Sequence, residues 1–380
     1  MSASTAITRA AALALVHHLR DAANRHDVDA IMECYAGGAT AASPQFAEMK
    51  GREAIARSWH TLFAMFPDCR FELSDVLVDG DRITIIGTVA ATDRGGWFGL
   101  PPTGGEIRYS LSILCSIADG LIVREERIYD SAGVVERLEK VRIDRELKTA
   151  AEVQRSLLAH TSFARPFCEI AARSLPCRAI GGDFFDVMEL PSGSVALVVG
   201  DVAGKGPAAA LLAAMLQGVF ACEARDDSSP AQTIARMNRI LSDRQATSKF
   251  ATLVYGVLSP DGRFVYSNAG HNPPVVVGRG GIRRLTAGGP LVGAFAGAAF
   301  EQQSLPLADG DAIVMFSDGI TEACNSNGEE FGDDRLLAAA AEGGAPGVLI
   351  ERLFDAVRRF SGGVEQSDDM TVAVLRRAQA

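Results

Sequence analysis

Four aspartates stand where a folded chain could gather them into one acidic cluster. Asp183 and Asp201 flank a stretch that can double back: Pro191 and Gly193 supply turn chemistry between the apolar runs Phe184–Leu190 and Val195–Val199. The simplest local structure is a β-hairpin. A hairpin centred near Ser192 pairs residues whose numbers add to about 384–385, which sets Asp183 almost opposite Asp201 at one sheet end. Two carboxylates so placed repel one another unless a cation sits between them. A second pair fits the same picture. Ala312–Phe316 ends in Ser317-Asp318-Gly319, and Asp368-Asp369 precedes the run Met370–Leu375. If these two strands are antiparallel neighbours, Asp318 lies beside Asp368. Four carboxylates are hard oxygen donors that suit magnesium or manganese rather than zinc. A lone Asp-Gly at a strand end is commonly a turn, so the joint pattern carries the signal.

The wording around these residues resembles a known family. Gly181-Gly182-Asp183-Phe184-Phe185-Asp186, Gly200-Asp201-Val202-Ala203-Gly204-Lys205-Gly206, Asn268-Ala269-Gly270-His271-Asn272-Pro273-Pro274, Ser317-Asp318-Gly319-Ile320-Thr321-Glu322-Ala323 and Asp368-Asp369-Met370-Thr371 follow in the order seen in the stage II sporulation protein E and RsbU group of PPM-type (type 2C) serine/threonine phosphatases. The resemblance covers about Glu152–Arg377. It implies an α/β/β/α sandwich and two divalent cations, Mn2+ or Mg2+, that activate water for a single displacement at phosphorus. By motif, Asp201 would bridge both metals, Asp183 and the Val202 carbonyl would complete one site, and Asp318 with Asp368 the other, with Asp369 a further neighbour. His271 is either an acid or a structural hydrogen-bonding residue, and Asp186 has a supporting place only. The implied substrate is a phosphorylated STAS-domain protein, an anti-sigma-factor antagonist in a partner-switching pathway. Such enzymes tend to be weak alone and to switch on when the helices after Asp201 are repositioned. No arginine motif for gripping phosphate is present, and Lys205 is the nearest cation in sequence.

The rest of the chain must position and control this chemistry. At 380 residues, 48% hydrophobic and 22% charged, it has the composition of a globular protein with room for two cores. A net charge of −10 argues against nucleic acid or an anionic membrane as the main partner. The seven cysteines are scattered, with no Cys-x-x-Cys, so neither a disulfide framework nor a zinc site is expected, in keeping with a cytoplasmic location. Ala10–Val16 is a short apolar run without a cleavage pattern, and no segment approaches a membrane span. Gly200 to Lys205 has the wrong spacing for a phosphate-cradling P-loop.

Residues 7–25 and 52–66 read as helices, and from Phe71 the pattern turns to period two: Phe71–Val78, Arg82–Ala90, Ile107–Ile117 and Leu121–Tyr129, broken by Asp-Gly turns. Helices followed by an antiparallel meander make an α+β domain. The run Gly96-Trp97-Phe98-Gly99-Leu100-Pro101-Pro102-Thr103-Gly104-Gly105, with Asp119-Gly120-Leu121-Ile122 and Tyr129-Asp130, resembles SnoaL-like polyketide cyclases of the nuclear transport factor 2-like superfold. That resemblance implies a cone of curved antiparallel sheet and helices around an apolar pocket. The fold alone fixes no function. Asp130 matches the region of a pocket carboxylate, His60 could point inward, and Trp59 and Trp97 either line a pocket or pack in the core. A small-molecule sensor and a dimerisation module are both open readings, ahead of a cyclase or isomerase.

The expected domains are 1–136, SnoaL-like; 137–160, a helical linker; and 161–380, the phosphatase. Within the linker, Ile143, Leu147, Ala150, Gln154 and Leu157 recur at coiled-coil spacing with one polar layer, which predicts a homodimer; the alternative is one amphipathic helix packed on its own domain. Further helices are expected over Pro207–Cys222, Pro230–Gln245, Arg335–Ala341 and Gly347–Phe360, and further strands over Ala251–Leu258, Arg263–Asn268, Pro274–Val277, Ala312–Phe316 and Thr371–Leu375. The expected function is a metal-dependent phosphoprotein phosphatase regulated by its N-terminal domain. The alternative is a catalytically weak signalling scaffold whose N-terminal domain binds or isomerises a small molecule.

Overall fold

Thr8 starts the first ordered element: its hydroxyl accepts from the Ala11 amide and caps α1 (Arg9–Asn24), which turns Ala12, Val16, Leu19, Ala22 and Ala23 inward at helical spacing. The computed structural model describes residues 7–158, 162–226, 228–243 and 249–378. It divides into two units, 1–146 and 147–380. In the first, α1 is followed by α2 (Val28–Glu33), β1 (Tyr35–Ala42), β2 (Met49–Lys50), α3 (Arg52–Met65), β3 (Arg70–Asp79), β4 (Arg82–Thr92), β5 (Glu106–Ala118) and β6 (Leu121–Ile128). The period-two runs became the four long strands β3 to β6, paired as successive antiparallel neighbours. Their alternation places Ile83, Ile85, Val89, Tyr109, Leu111 and Ile113 in one core with Trp59, Phe66 and Trp97.

The sequence reading assigned no strand to Tyr35–Ala42. Its Gly37-Gly38 pair and small residues carry no strand pattern, yet the segment joins the sheet edge as β1, parallel to β6 and antiparallel to β2. The sheet order is β2-β1-β6-β5-β4-β3. The glycine-rich 96–105 segment is built around the buried Asp93, whose carboxylate accepts from the Gly96 and Thr103 amides and the Thr103 hydroxyl. Trp97 thereby lies among Phe66, Tyr109 and Tyr129 as a core residue.

Helix α4 (Ser131–Leu157) follows, and the division between the units falls inside it. Asp130, expected near a pocket, instead accepts from the Gly133 amide at the start of α4, and His60 is exposed on α3. Along α4 only Val134 and Leu138 are buried, whereas Ile143, Val153 and Leu157 are about half exposed. The final residues of two expected helices, 159–160 and 244–245, lie outside the described residues.

The second unit contains β7 (Ser162–Arg165), β8 (Cys168–Leu175), β9 (Phe184–Glu189), β10 (Val195–Val202), α5 (Pro207–Glu223), α6 (Pro230–Asp243), β11 (Ala251–Leu258), β12 (Arg263–Ala269), β13 (Val275–Gly278), β14 (Gly281–Arg284), β15 (Gly288–Gly289), β16 (Gln303–Pro306), β17 (Ala312–Phe316), α7 (Asp318–Thr321), α8 (Gly332–Ala341), α9 (Pro346–Ser361) and β18 (Met370–Arg377). One sheet runs β15-β12-β11-β10-β9 with β16 on β12, and the other β14-β13-β17-β18-β8-β7. Val195, Leu197 and Val199 point into a core shared with Ile313, Met315 and Leu375 of the opposite sheet. The intervening Ala196 and Val198 face Ala213, Leu216 and Phe220 of α5 and Ile234 and Met237 of α6. On the far side, Val314, Phe316, Val372 and Val374 meet Leu336 of α8 and Leu349, Leu353 and Phe354 of α9. The unit is therefore an α/β/β/α sandwich. Apolar cover on both faces explains why these strands read as continuous apolar runs rather than alternating ones. Among the described residues no helix is long and apolar enough to cross a membrane.

Candidate metal centre

The hairpin places the first pair of aspartates. β9 and β10 pair Val195 with Glu189 through Gly200 with Phe184, so Asp183 is the next residue toward Asp201. Asp201 itself lies in β10 opposite Thr252 of β11. In the other sheet β17 and β18 run antiparallel from Ala312 with Arg376 to Phe316 with Val372. Just beyond, the Ser317 amide donates to the Thr371 carbonyl at 3.0 Å, bringing the Asp318 and Asp368 segments together. Both sheets thus deliver acids to one end of the sandwich.

Glycines let the backbones meet there. A Cβ on Gly182 would stand 2.8 Å from the Val202 carbonyl oxygen, and one on Gly319 only 2.1 Å from the Asp369 carbonyl oxygen. Real side chains do not tolerate such contacts, so these motif glycines are demanded by close approach rather than by turn geometry.

The carboxyls of the cluster crowd one another. Burial pushes the Asp183 carboxyl well above its ordinary range, and the nearby Asp201 adds to it. Asp201 is pushed up to about 7 by burial first, then by Asp318, Asp368 and Asp369. Asp318 is raised too, by burial and by Asp368. Carboxyls that resist ionisation because their neighbours are also carboxyls lack compensating positive charge. Lys205 lies 3.0 Å from Asp368 Oδ2 and also donates to the Ser367 carbonyl. The donor set fits hard divalent cations.

Asp369 has a different environment. Its Oδ1 accepts from the Cys177 amide at 2.8 Å and its Oδ2 from the Gly182 amide at 2.6 Å, so both oxygens shape the 177–182 loop. The ligand atoms of Cys177, Asp368 and Asp369 also lie within 4.8 Å of one another. Asp186, within β9 opposite Val198, accepts from the Val187 amide. His271 is buried: Asn268 brackets its backbone with two hydrogen bonds, and Thr252 Oγ1 lies 2.8 Å from Nδ1. Burial lowers its pKa to about 4, so the ring beside β11 is neutral at physiological pH.

Two contributors escaped the sequence reading. Ser317 Oγ donates to Asp183 Oδ2 at 2.7 Å and accepts from the Thr371 amide at 2.9 Å, tying the two sheets together at the site. Its place immediately before Asp318 was the available signal. Gln154, expected as a polar layer in a coiled-coil seam, donates to the Gly181 carbonyl at 2.7 Å and accepts from the Gly181 amide at 3.1 Å. Nothing in local sequence announces a contact to a loop so far along the chain.

Comparison with known proteins identifies both parts of the chain. Residues 191–378 match the family model of Stage II sporulation protein E, and residues 16–125 match the SnoaL-like domain. The chain is similar to phosphoserine phosphatase RsbU of Bacillus subtilis (strain 168), with 25% identity over 287 residues, 73% of this chain and 82% of that protein. It is also similar to protein IcfG of Synechocystis sp. (strain ATCC 27184 / PCC 6803 / Kazusa), with 28% identity over 262 residues, 61% of this chain and 41% of that protein. Among solved structures, the SiaA-PP2C domain of Pseudomonas aeruginosa superposes with a TM-score of 0.54 at 18% identity, covering 63% of this chain and 98% of that one. At that identity the likeness establishes the fold.

Proposed function

We propose that this chain, a SnoaL-like domain followed by a phosphatase domain of the Stage II sporulation protein E type, is a metal-dependent phosphoserine/phosphothreonine protein phosphatase controlled by its N-terminal unit. The observation that carries the reading is the cluster of the buried Asp183 with the half-buried Asp201 and Asp318, whose carboxyls are all raised by burial and mutual repulsion. Asp183, Asp201, Asp318, Asp368 and the Val202 carbonyl would hold two divalent cations, Mn2+ or Mg2+. When bound, such ions activate a water and screen the charge of a phosphoryl group. The protein's own residues do the positioning. Ser317 fixes the rotamer of Asp183, Asp369 shapes the loop that presents it, and Lys205 stands at the rim beside Asp368.

The proposed substrate is a phosphorylated STAS-domain protein, an anti-sigma-factor antagonist, and the proposed setting is a cytoplasmic partner-switching pathway. Similarity to a phosphoserine phosphatase over most of both chains supports this. Regulation runs through α4 in this reading, with domains 1–136 and 161–380 joined by a linker over 137–160. Gln154 grips Gly181, Leu157 accepts through its carbonyl from Gln217 of α5 at 2.9 Å, and Leu158 packs against the apolar clusters on both faces of the first sheet. The half-exposed Ile143, Val153 and Leu157 offer an apolar stripe for a second copy of the helix, so the active form is proposed to be a homodimer.

The test uses the full chain with p-nitrophenyl phosphate and then a phosphorylated STAS protein, in Mn2+, in chelator, and as Asp318→Asn. Turnover in Mn2+ alone, lost in chelator and in the variant, is expected. Calorimetry should show Mn2+ binding that Asp318→Asn weakens. Absence of both turnover and Mn2+ binding would refute the reading.

A further inference from the structure

Beside the acidic cluster the second unit keeps an apolar hollow that metal binding does not use, ≈ 680 Å³ with its open mouth included. α9 contributes Phe354 and Val357 to its wall, β18 contributes Met370, and all three are buried. Leu175 and Val364 belong to the same wall yet stay 39% and 41% exposed. Aliphatic surface left in water is what an apolar partner group would cover. The segment that carries Val364 is tied in place at its far end. Gln366 Nε2 donates to the Leu175 carbonyl at 2.8 Å and to the Asp368 carbonyl at 2.6 Å, and Lys205 holds the Ser367 carbonyl. The hollow is therefore built before any partner arrives, which lowers the cost of filling it.

Its place says what fills it. Gly319 and Ser367 of the wall are the chain neighbours of Asp318 and Asp368. An extended peptide advances about 3.3 Å per residue, so a phosphoserine held at those carboxylates brings side chains a few places along its own chain to the mouth of the hollow. Charge decides which side chains enter. Arg358 of the wall already donates to Asp355 Oδ1 at 2.9 Å, and Glu365 adds a carboxylate. An acidic side chain would meet Glu365, and a charge of either sign would have to leave water for Phe354 and Val357. An apolar side chain pays neither penalty.

We propose that this hollow receives an apolar side chain of the phosphoprotein substrate, from a residue within a few places of the phosphoserine, and so selects which phosphoserines are hydrolysed. Pockets that take particular side chains of an extended segment are a general means of peptide specificity. The inference rests on the reading of the second unit as a protein phosphatase and names what that site recognises beyond the phosphate.

The probes are alanine peptides with a central phosphoserine, one leucine being moved through the flanking positions, given to the full chain in Mn2+. At one position leucine is expected to raise kcat/KM over the all-alanine peptide by roughly tenfold, and lysine or aspartate at that position to give no gain. Val364→Asp puts a charge at the mouth and leaves the aspartate cluster untouched. It should bring the leucine advantage close to unity while hydrolysis of the all-alanine peptide is unchanged, and Val364→Ile should keep the advantage. Cys324, in the wall, gives a second readout that does not need phosphate release. Its alkylation by iodoacetamide, followed by mass spectrometry against the exposed Cys222 as reference, should be slowed by the leucine peptide and not by the all-alanine one. Peptides hydrolysed alike wherever the leucine stands, an advantage that Val364→Asp leaves intact, or Cys324 alkylation that the leucine peptide does not slow would each overturn the assignment. Slowed alkylation without phosphate release removes only the phosphatase reading and keeps the pocket, whereas release at one rate from every peptide removes only the pocket.

Discussion

Asp201→Asn should stabilise the metal-free protein while destroying its metal site. The structure raises the Asp201 carboxyl from its ordinary 3.8 to about 7, through burial and then the charges of Asp318, Asp368 and Asp369. In the unfolded chain the same group ionises near its ordinary value. Below about pH 4 both states hold the proton and the site costs nothing. As the pH rises toward 7 the unfolded chain ionises while the folded one resists, so folding stability is lost across that window and stays low above it. At about 1.4 kcal/mol per pKa unit the shift corresponds to about 4 kcal/mol in chelator at pH 8, an upper figure because neighbouring carboxyls titrate together. For a unit of this size that is roughly a 10 °C change in melting temperature.

Differential scanning calorimetry of the full chain is the suitable assay, because the unit that responds to Mn2+ identifies its own transition. In chelator at pH 8 Asp201→Asn should melt higher than the parent, and at pH 4.5 the two should nearly coincide. With Mn2+ at pH 8 the order should reverse, since only the parent gains binding energy. A parent transition in chelator that tracks the variant's at both pH values would refute the claim that uncompensated carboxylates strain this site.

Two further outcomes test the linker. Gln154→Ala removes both hydrogen bonds to Gly181, and leaving that amide unpaired should weaken Mn2+ binding roughly tenfold by calorimetry; unchanged affinity would mean the clamp is decorative. Ile143→Asp with Val153→Asp places charge on the half-exposed stripe of α4 and should turn a sedimenting dimer into a monomer without lowering the melting temperature of either unit, whereas a parent already monomeric would end the dimer reading.

Much of the acidic cluster was legible in the sequence because it hangs on strand ends. Once Pro191 and Gly193 set the turn, pairing arithmetic alone carried Asp183 to Asp201, and the observed register agrees. The antiparallel pairing that brings the Asp318 and Asp368 segments together followed from two apolar runs with acids at matching ends. The helices and the long strands of the first unit were readable from their periods, and the long strands of the second from unbroken apolar runs between turns. What periodicity could not supply were strands without a pattern of their own. Tyr35–Ala42 is a strand because β6 offers it an edge, and Cys168–Leu175 because β18 pairs with it residue by residue.

The roles of individual polar side chains also depended on the tertiary structure, because a side chain's partner is set by what folds next to it. Gln154 looked like a polar layer between two helices and is bonded to the Gly181 backbone beside Asp183. Asp369 looked like one more acid and spends both oxygens on backbone amides. Tyr35 lies 90 residues before Glu125, with nothing to link it to Glu125 and Arg127 until β1 and β6 become neighbours and bury all three. Residue types and strand ends thus brought the acidic residues together on paper, and the motifs' resemblance to a family supplied the phosphatase reading; only the packed fold decided which polar groups find partners, because burial and partnership are properties of the whole chain's arrangement.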